Sequence, residues 1–274
     1  MATTTPHRTP DLDYSIDDFI AGERRDSVYL FRALEDAMVA LATAHPGGHT
    51  ARPGRVLDVA CGTGKQAMRI AARGCVSIGV EASMEMIGVG RWVHPESDAR
   101  IVRGIAESLP FADASFDRVI CQGSLDHFAD PHAFMREAAR VVARDGRVVI
   151  ALANFESASC RLGRAVDGAK RVLRRPRPPW RLYWETPEDH NVRGDLPFVR
   201  TLGGDALVLE RCTGLSLFWL FEPYGRLLDA LPERAAATLW RRLDRLARAR
   251  PRHADMIISI WRRTDPDTPP KTTA

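Results

Sequence analysis

The chain lacks the cysteine pattern of either a disulfide scaffold or a zinc site. Its five cysteines, Cys61, Cys75, Cys121, Cys160 and Cys212, are odd in number and none stands in a C-x-x-C pair. Scattered cysteines of this kind suit a reducing compartment. No apolar run approaches the length that spans a bilayer, and Met1–Asp13 is polar, with no apolar leader core. The expectation is a cytoplasmic protein. Charge of one sign is not in excess either: 39 basic residues face 35 acidic ones, a net charge of +4. Without a localised patch, that balance makes no strong case for nucleic acid. There is no internal repeat, which removes solenoids. What the chain does have is 274 residues at 45% hydrophobic content, enough for one sizeable core with appended pieces.

The stretch Arg55-Val56-Leu57-Asp58-Val59-Ala60-Cys61-Gly62-Thr63-Gly64-Lys65 organises the rest. Val56, Leu57 and Val59 read as a short buried strand, Gly62 and Gly64 as a sharp turn, and Lys65–Ala72 as a helix stopped by Gly74. A strand, a glycine turn and a helix N-terminus set backbone N–H groups beside any ligand above the turn. Two glycine signatures do not fit. The phosphate-cradling G-x-x-x-x-G-K-S/T fails because Gln66 follows Lys65, and G-x-G-x-x-G fails at Ala67.

The pattern that does stand there, Asp58-x-x-x-Gly62-x-Gly64, resembles motif I of the class I S-adenosylmethionine-dependent methyltransferases, with Ala60 in place of the first glycine. Further segments follow in order. Cys75–Val80 reads as a second strand ending at Glu81, roughly 20 residues after the turn, where a carboxylate can hold a ribose. Glu81-Ala82-Ser83-Met84-Glu85-Met86 resembles the family's D-x-S-x-x-M, which implies Met86 against the adenine. Arg100–Arg103 reads as a third strand. Gly104-Ile105-Ala106-Glu107-Ser108-Leu109-Pro110-Phe111 resembles G-D-A-E-x-L-P-F, with Ile105 where the family has an adenine-binding Asp. Ile105 can pack on the adenine face, with Ala106 N–H or Glu107 making the polar contact. After a fourth strand, Arg118–Cys121, the run Gln122-Gly123-Ser124-Leu125-Asp126-His127-Phe128-Ala129-Asp130-Pro131 resembles L-x-H-F/V-x-D-P. A helix over His132–Ala143, a turn at Asp145-Gly146 and a fifth strand over Arg147–Ala153 complete the alternation.

The resemblance is to the ubiquinone/menaquinone-biosynthesis-like small-molecule group and covers roughly residues 55 to 153. It implies an α/β fold with a doubly wound, mostly parallel, Rossmann-like seven-stranded sheet, the last strand antiparallel between the fifth and sixth. It implies S-adenosyl-L-methionine as cofactor and a small-molecule acceptor. The cofactor-binding residues expected are Asp58, Ala60, Cys61, Gly62, Gly64, Glu81, Ala82, Met86, Ala106, Glu107 and Gln122.

Methyl transfer from a sulfonium needs an aligned acceptor, and a base only where the acceptor must lose a proton. His127, at the carboxyl edge of the fourth strand, is the first candidate; His190 is the second, and Asp126 can orient or replace His127. No His, Asp or Glu group has metal spacing along the chain, so no metal is expected.

The chain divides into a disordered or short helical segment over 1–25, the catalytic domain over 26–263, and a Pro/Thr tail over 264–274. Members of the family it resembles often place a lid between the fifth and sixth strands, and an insertion at about 155–200 occupies that place. It carries Arg161, Arg164, Lys170, Arg171, Arg174, Arg175, Arg177 and Arg181 against Asp167, followed by Trp180, Tyr183 and Trp184. Such a patch can be a solvated surface insertion, or can meet phosphate, an acidic substrate or an anionic lipid surface. The sixth strand is expected within Ala206–Trp219, helices over Tyr224–Ala230 and Glu233–Ala249, and the last strand over Ala254–Trp261. Two rival functions stay open: a non-catalytic binding module on the same fold, and a nicotinamide-dependent oxidoreductase.

Overall fold

A computed structural model describes residues 24–44, 54–95, 100–173 and 181–264. The expected N-terminal segment, save Arg24 and Arg25, and the tail beyond Thr264 lie outside the described residues, as does Trp180. The elements run α1 (Arg25–Thr43), β1 (Arg55–Val59), α2 (Lys65–Ala71), β2 (Val76–Glu81), α3 (Met84–Val93), β3 (Arg100–Arg103), β4 (Phe116–Gln122), α4 (Pro131–Val141), β5 (Val142–Ala153), α5 (Ala158–Val172), α6 (Leu196–Thr201), β6 (Leu207–Leu215), α7 (Glu222–Ala230), α8 (Glu233–Ala249) and β7 (Met256–Arg263).

The strands form one seven-stranded sheet in the order β3-β2-β1-β4-β5-β7-β6. Pairs from β3 through β5 are parallel, and β7 runs antiparallel to both β5 and β6. Both faces are covered because alternate strand residues are apolar on each side. Leu57, Val148, Ile150 and Leu152 face a core completed by Phe134, Met135 and Ala138 of α4. Val56, Val149, Ala151 and Ile258 face the other, completed by Leu30, Leu34 and Met38 of α1. The chain reverses strand order at β1 and β4, and the carboxyl ends of these strands flank the crevice where such sheets hold ligands.

Some boundaries differ from expectation for identifiable reasons. The helix expected to reach Ala143 stops at Val141, because Val142 already pairs with Phe116 of β4. The turn at Asp145-Gly146 lies inside β5, where the register with β4 shifts. β6 lies within the expected Ala206–Trp219 and ends at Leu215, since Ser216, Phe218 and Leu220 take positive φ and leave the extended conformation. The insertion after β5 opens with α5, whose start is tied to the residue just before β7 by the Ser159 hydroxyl donating to Asp255 Oδ1 at 2.7 Å.

Candidate active site

The turn after β1 is built from backbone. Ala60, Gly62 and Gly64 all adopt positive φ, at 55°, 55° and 78°. Gly62 N–H donates to Glu81 Oε2 at 2.8 Å, and Ser83 N–H donates to Glu81 Oε1 at 2.8 Å. The Ser83 hydroxyl in turn accepts Met86 N–H and caps α3. One carboxylate thus ties the turn to the end of β2 and the start of α3. Each of its oxygens keeps a lone pair for a ligand hydroxyl. Beneath it, Asp58 is buried, and its Oδ2 has no hydrogen-bond partner. Burial, with the neighbouring Glu81 charge, pushes the Asp58 carboxyl up to about 7. Burial also raises the Cys61 thiol, so it stays protonated.

Above the turn lies a cavity of about 230 Å³. Its wall contains Asp58, Ala60, Cys61, Gly62, Glu81, Ala82, Met86, Ala106, Glu107, Gln122 and His127. Gly64, expected there, is not in the wall. It is the left-handed residue that starts α2, and a Cβ on it would stand 2.7 Å from Ile101 Cδ1, so the turn itself requires glycine there. Glu107 is partly committed: its Oε1 accepts Ala129 N–H at 2.9 Å, joining the loop after β3 to the loop after β4. Ile105 lines the cavity and is 48% exposed, the surface of an apolar group waiting for a partner.

The wall also holds residues that the sequence reading missed. Gln66 donates from Nε2 to Gln122 Oε1 at 2.9 Å, and its own Oε1 is buried without a partner. Its place in the first turn after the glycine loop was a usable signal. Glu35, on α1, accepts from Lys65 Nζ at 2.7 Å and from Arg69 at 2.9 Å. Nothing in its local sequence marks it, since a helix from outside the motif region brings it there.

At the other end of the cavity, the short 3₁₀ turn Leu125–His127 and the loop at 190 come together. Asn191 N–H donates to Asp126 O at 2.7 Å, and its side-chain amide donates to His127 O at 2.9 Å. His127 and His190 stack edge to face with centroids 4.5 Å apart. His127 Nδ1 stands 3.3 Å from Asp189 Oδ2, and its Nε2 stands 4.0 Å from Asp126 Oδ1. His190 Nδ1 is 3.1 Å from Asp126 Oδ2, yet neither that nitrogen nor Asp126 Oδ1 makes an aligned hydrogen bond. Burial raises the Asp126 carboxyl and lowers the His190 imidazole. So His127 reaches the cavity wall, whereas Asp126 and His190 stand behind it. Spacing along the chain gives no metal motif, but the fold brings ligand-type atoms of Asp126, His127 and His190 within 4.8 Å of one another.

Tyr183 and Trp184 belong to the insertion after β5. They pack on α5: the Tyr183 hydroxyl donates to Ser159 O at 2.8 Å, and a Cβ on Gly163 would run into the Trp184 ring. Neither lines this cavity.

The strand order, the glycine turn and the carboxylate at the end of β2 together define a class I methyltransferase fold. Residues 57–150 match the family described as a methyltransferase domain. Residues 57–150 therefore carry a methyltransferase domain, set within a class I methyltransferase fold. It is 40% identical over 99 residues to the uncharacterized methyltransferase YcgJ of Bacillus subtilis, covering 35% of this chain and 39% of that protein. It is 41% identical over 107 residues to the ubiquinone/menaquinone biosynthesis C-methyltransferase UbiE of Geotalea uraniireducens, covering 36% of this chain and 46% of that one. The matched segment thus spans less than half the length of these relatives. Among solved structures, YcgJ superposes over 85% of this chain and 100% of its own, with a TM-score of 0.51 at 21% identity. Geranyl diphosphate methyltransferase in complex with SAM covers 85% of each chain, with a TM-score of 0.53 at 16% identity.

Proposed function

We propose that this protein transfers a methyl group from S-adenosylmethionine to a small-molecule acceptor. The observation that carries the proposal is Glu81, held by two backbone N–H groups in the wall of the cavity over the Gly62 turn. Its free lone pairs suit the two ribose hydroxyls of an adenosine. Met86 and Ile105 offer apolar surface for the adenine, and Ala106 N–H a polar contact at the ring edge. The donor's cationic end matches the unpartnered oxygens of Asp58 and Gln66.

The donor supplies a methyl group already activated by its sulfonium; the protein's task is alignment and, where needed, removal of a proton. His127 is the group that meets the acceptor. Its imidazole can take a proton from an acceptor hydroxyl, amine or acidic carbon, and Asp126 and Asp189 on either side stabilise the imidazolium. Asp126 and His190 position His127 rather than touch the acceptor. In this reading, the segment 155–200 is the lid, with α5 and the loop at 190 closing the acceptor end.

Calorimetry with S-adenosylhomocysteine and with a nicotinamide dinucleotide tests the donor. Binding of the first and not the second is expected, and the reverse would make the protein an oxidoreductase. Binding of neither would leave a methyltransferase fold without the activity. Incubation with labelled methyl donor and cell-extract fractions, followed by mass analysis, then identifies the acceptor.

A further inference from the structure

The solvent-facing side of α5 is apolar where a water-facing helix is polar. Leu162, Ala165, Val166, Ala169, Val172 and Leu173 recur at three- and four-residue spacing along it and at its end, all of them exposed. Val172 is 83% exposed and Leu173 70%. The opposite side is spent on the fold: Ser159, Cys160, Gly163 and Asp167 are buried. Asp167 is the only carboxylate on the helix, and it turns inward to pair with Arg171 at 2.8 Å. The outward side therefore presents no negative charge. Exposed Lys170 borders the apolar strip, and the sequence continues with Arg174, Arg175 and Arg177.

We infer that α5 docks on an anionic lipid bilayer, its apolar strip in the interface and its basic border on the headgroups. Charge decides the occupant. A soluble anion would engage the arginines and leave the leucine and valine side chains wet, whereas a neutral apolar partner would leave the cationic border unmatched. The position has a consequence for the acceptor end of the cavity. Phe155, just ahead of α5, stacks on His190 at 5.8 Å, and His190 stacks on His127. A docked helix would hold that end beside the membrane surface.

Vesicle flotation with the full chain tests this independently of methyl transfer. The wild-type protein should float with phosphatidylcholine vesicles containing about 30% phosphatidylglycerol, at least about ten-fold more than with phosphatidylcholine alone. Salt at about 0.5 M should release much of it. The double variant Val172→Glu/Leu173→Glu should stay unbound on both, while Lys170→Glu should bind about five-fold more weakly. Circular dichroism and S-adenosylhomocysteine affinity should match wild type in both variants, since these residues lie outside the donor cavity. Wild-type protein that floats with neither vesicle, or a double variant that floats as wild type does, overturns the inference. So does a sedimentation mass that halves in the double variant, which would give the strip to a second copy of the chain.

Discussion

The two ends of the cavity are built in different ways. At the end proposed for the donor, backbone N–H groups donate to side chains no more than 19 residues away: Gly62 and Ser83 to Glu81, and Met86 to Ser83. At the end proposed for the acceptor, distant loops meet: the His127 ring stacks on His190, and the Asn191 side-chain amide donates to His127 O. Local geometry repeats wherever the same turn is made, so the donor end can be shared widely. The acceptor end depends on how the insertion between β5 and β6 is folded back, and that is where one methyltransferase fold can differ from another.

The sharpest way to break this division is at His127. His127→Ala should lower turnover by about 10²–10⁴-fold. Donor affinity should stay within about two-fold, because the donor contacts lie at the other end. Single-turnover kinetics alongside calorimetry separates the two. Wild-type turnover would retire His127 as the base, and an equal loss of donor affinity would erase the distinction between the ends.

Glu81→Ala probes the donor end. It removes a charged acceptor from two backbone donors and, in the reading above, from the ribose. Donor affinity should fall by about 2 kcal/mol, roughly thirty-fold. Glu81→Gln should recover part of this, since its amide oxygen still accepts one N–H. Calorimetric affinity unchanged in Glu81→Ala would remove the residue from the site.

How far each end could be read in advance follows from the same contrast. The turn at 60–64, the acid at 81 and the strand alternation were legible because each is a local pattern of residue types. The antiparallel β7 between β5 and β6 came from the resemblance, and the topology agrees. Gly64 was expected at the ligand, and the structure shows a steric demand there, against Ile101; pattern alone does not separate a glycine that makes room for a ligand from one that makes room for a neighbour. Glu35 was invisible, since α1 looks like any amphipathic helix until its polar side meets Lys65 and Arg69. The pairing of His190 with Asp126 was equally hidden, because chain separation says nothing about which loops meet.

A smaller effect sharpens the electrostatics of the donor end. Asp58 titrates near 7 in the folded protein, against an ordinary value of 3.8. A raised carboxyl favours the folded state most below the unfolded value, and this contribution is lost as pH rises from about 4 through 7. Asp255, pushed up to about 6 by burial, has the same sign. Donor binding should respond oppositely, because a cation beside Asp58 favours its ionised form. Affinity for S-adenosylmethionine should therefore rise between pH 6 and about 8, by at most about ten-fold per unit below the titration. In Asp58→Asn the rise should flatten, and part of the stability loss with pH should disappear. An affinity that does not change over this range would separate the donor's cationic end from Asp58.

The least effect is expected where the turn itself departs from the family pattern. Ala60 stands at the first glycine of motif I and adopts φ 55°, a region that crowds its Cβ against the backbone. The resemblance alone suggests that any small residue serves there; the backbone angle says that alanine serves at a cost. Ala60→Gly removes that crowding but also frees the unfolded chain, and the two terms oppose each other. Where φ is positive the strain term is the larger, so the variant should gain about 0.5–1 kcal/mol, a rise of about 1–4 °C in Tm. Scanning calorimetry of both proteins reads this directly. If Ala60→Gly loses stability, the methyl group of Ala60 contributes packing that outweighs its strain, and the donor turn depends on side chains more than its hydrogen bonds indicate.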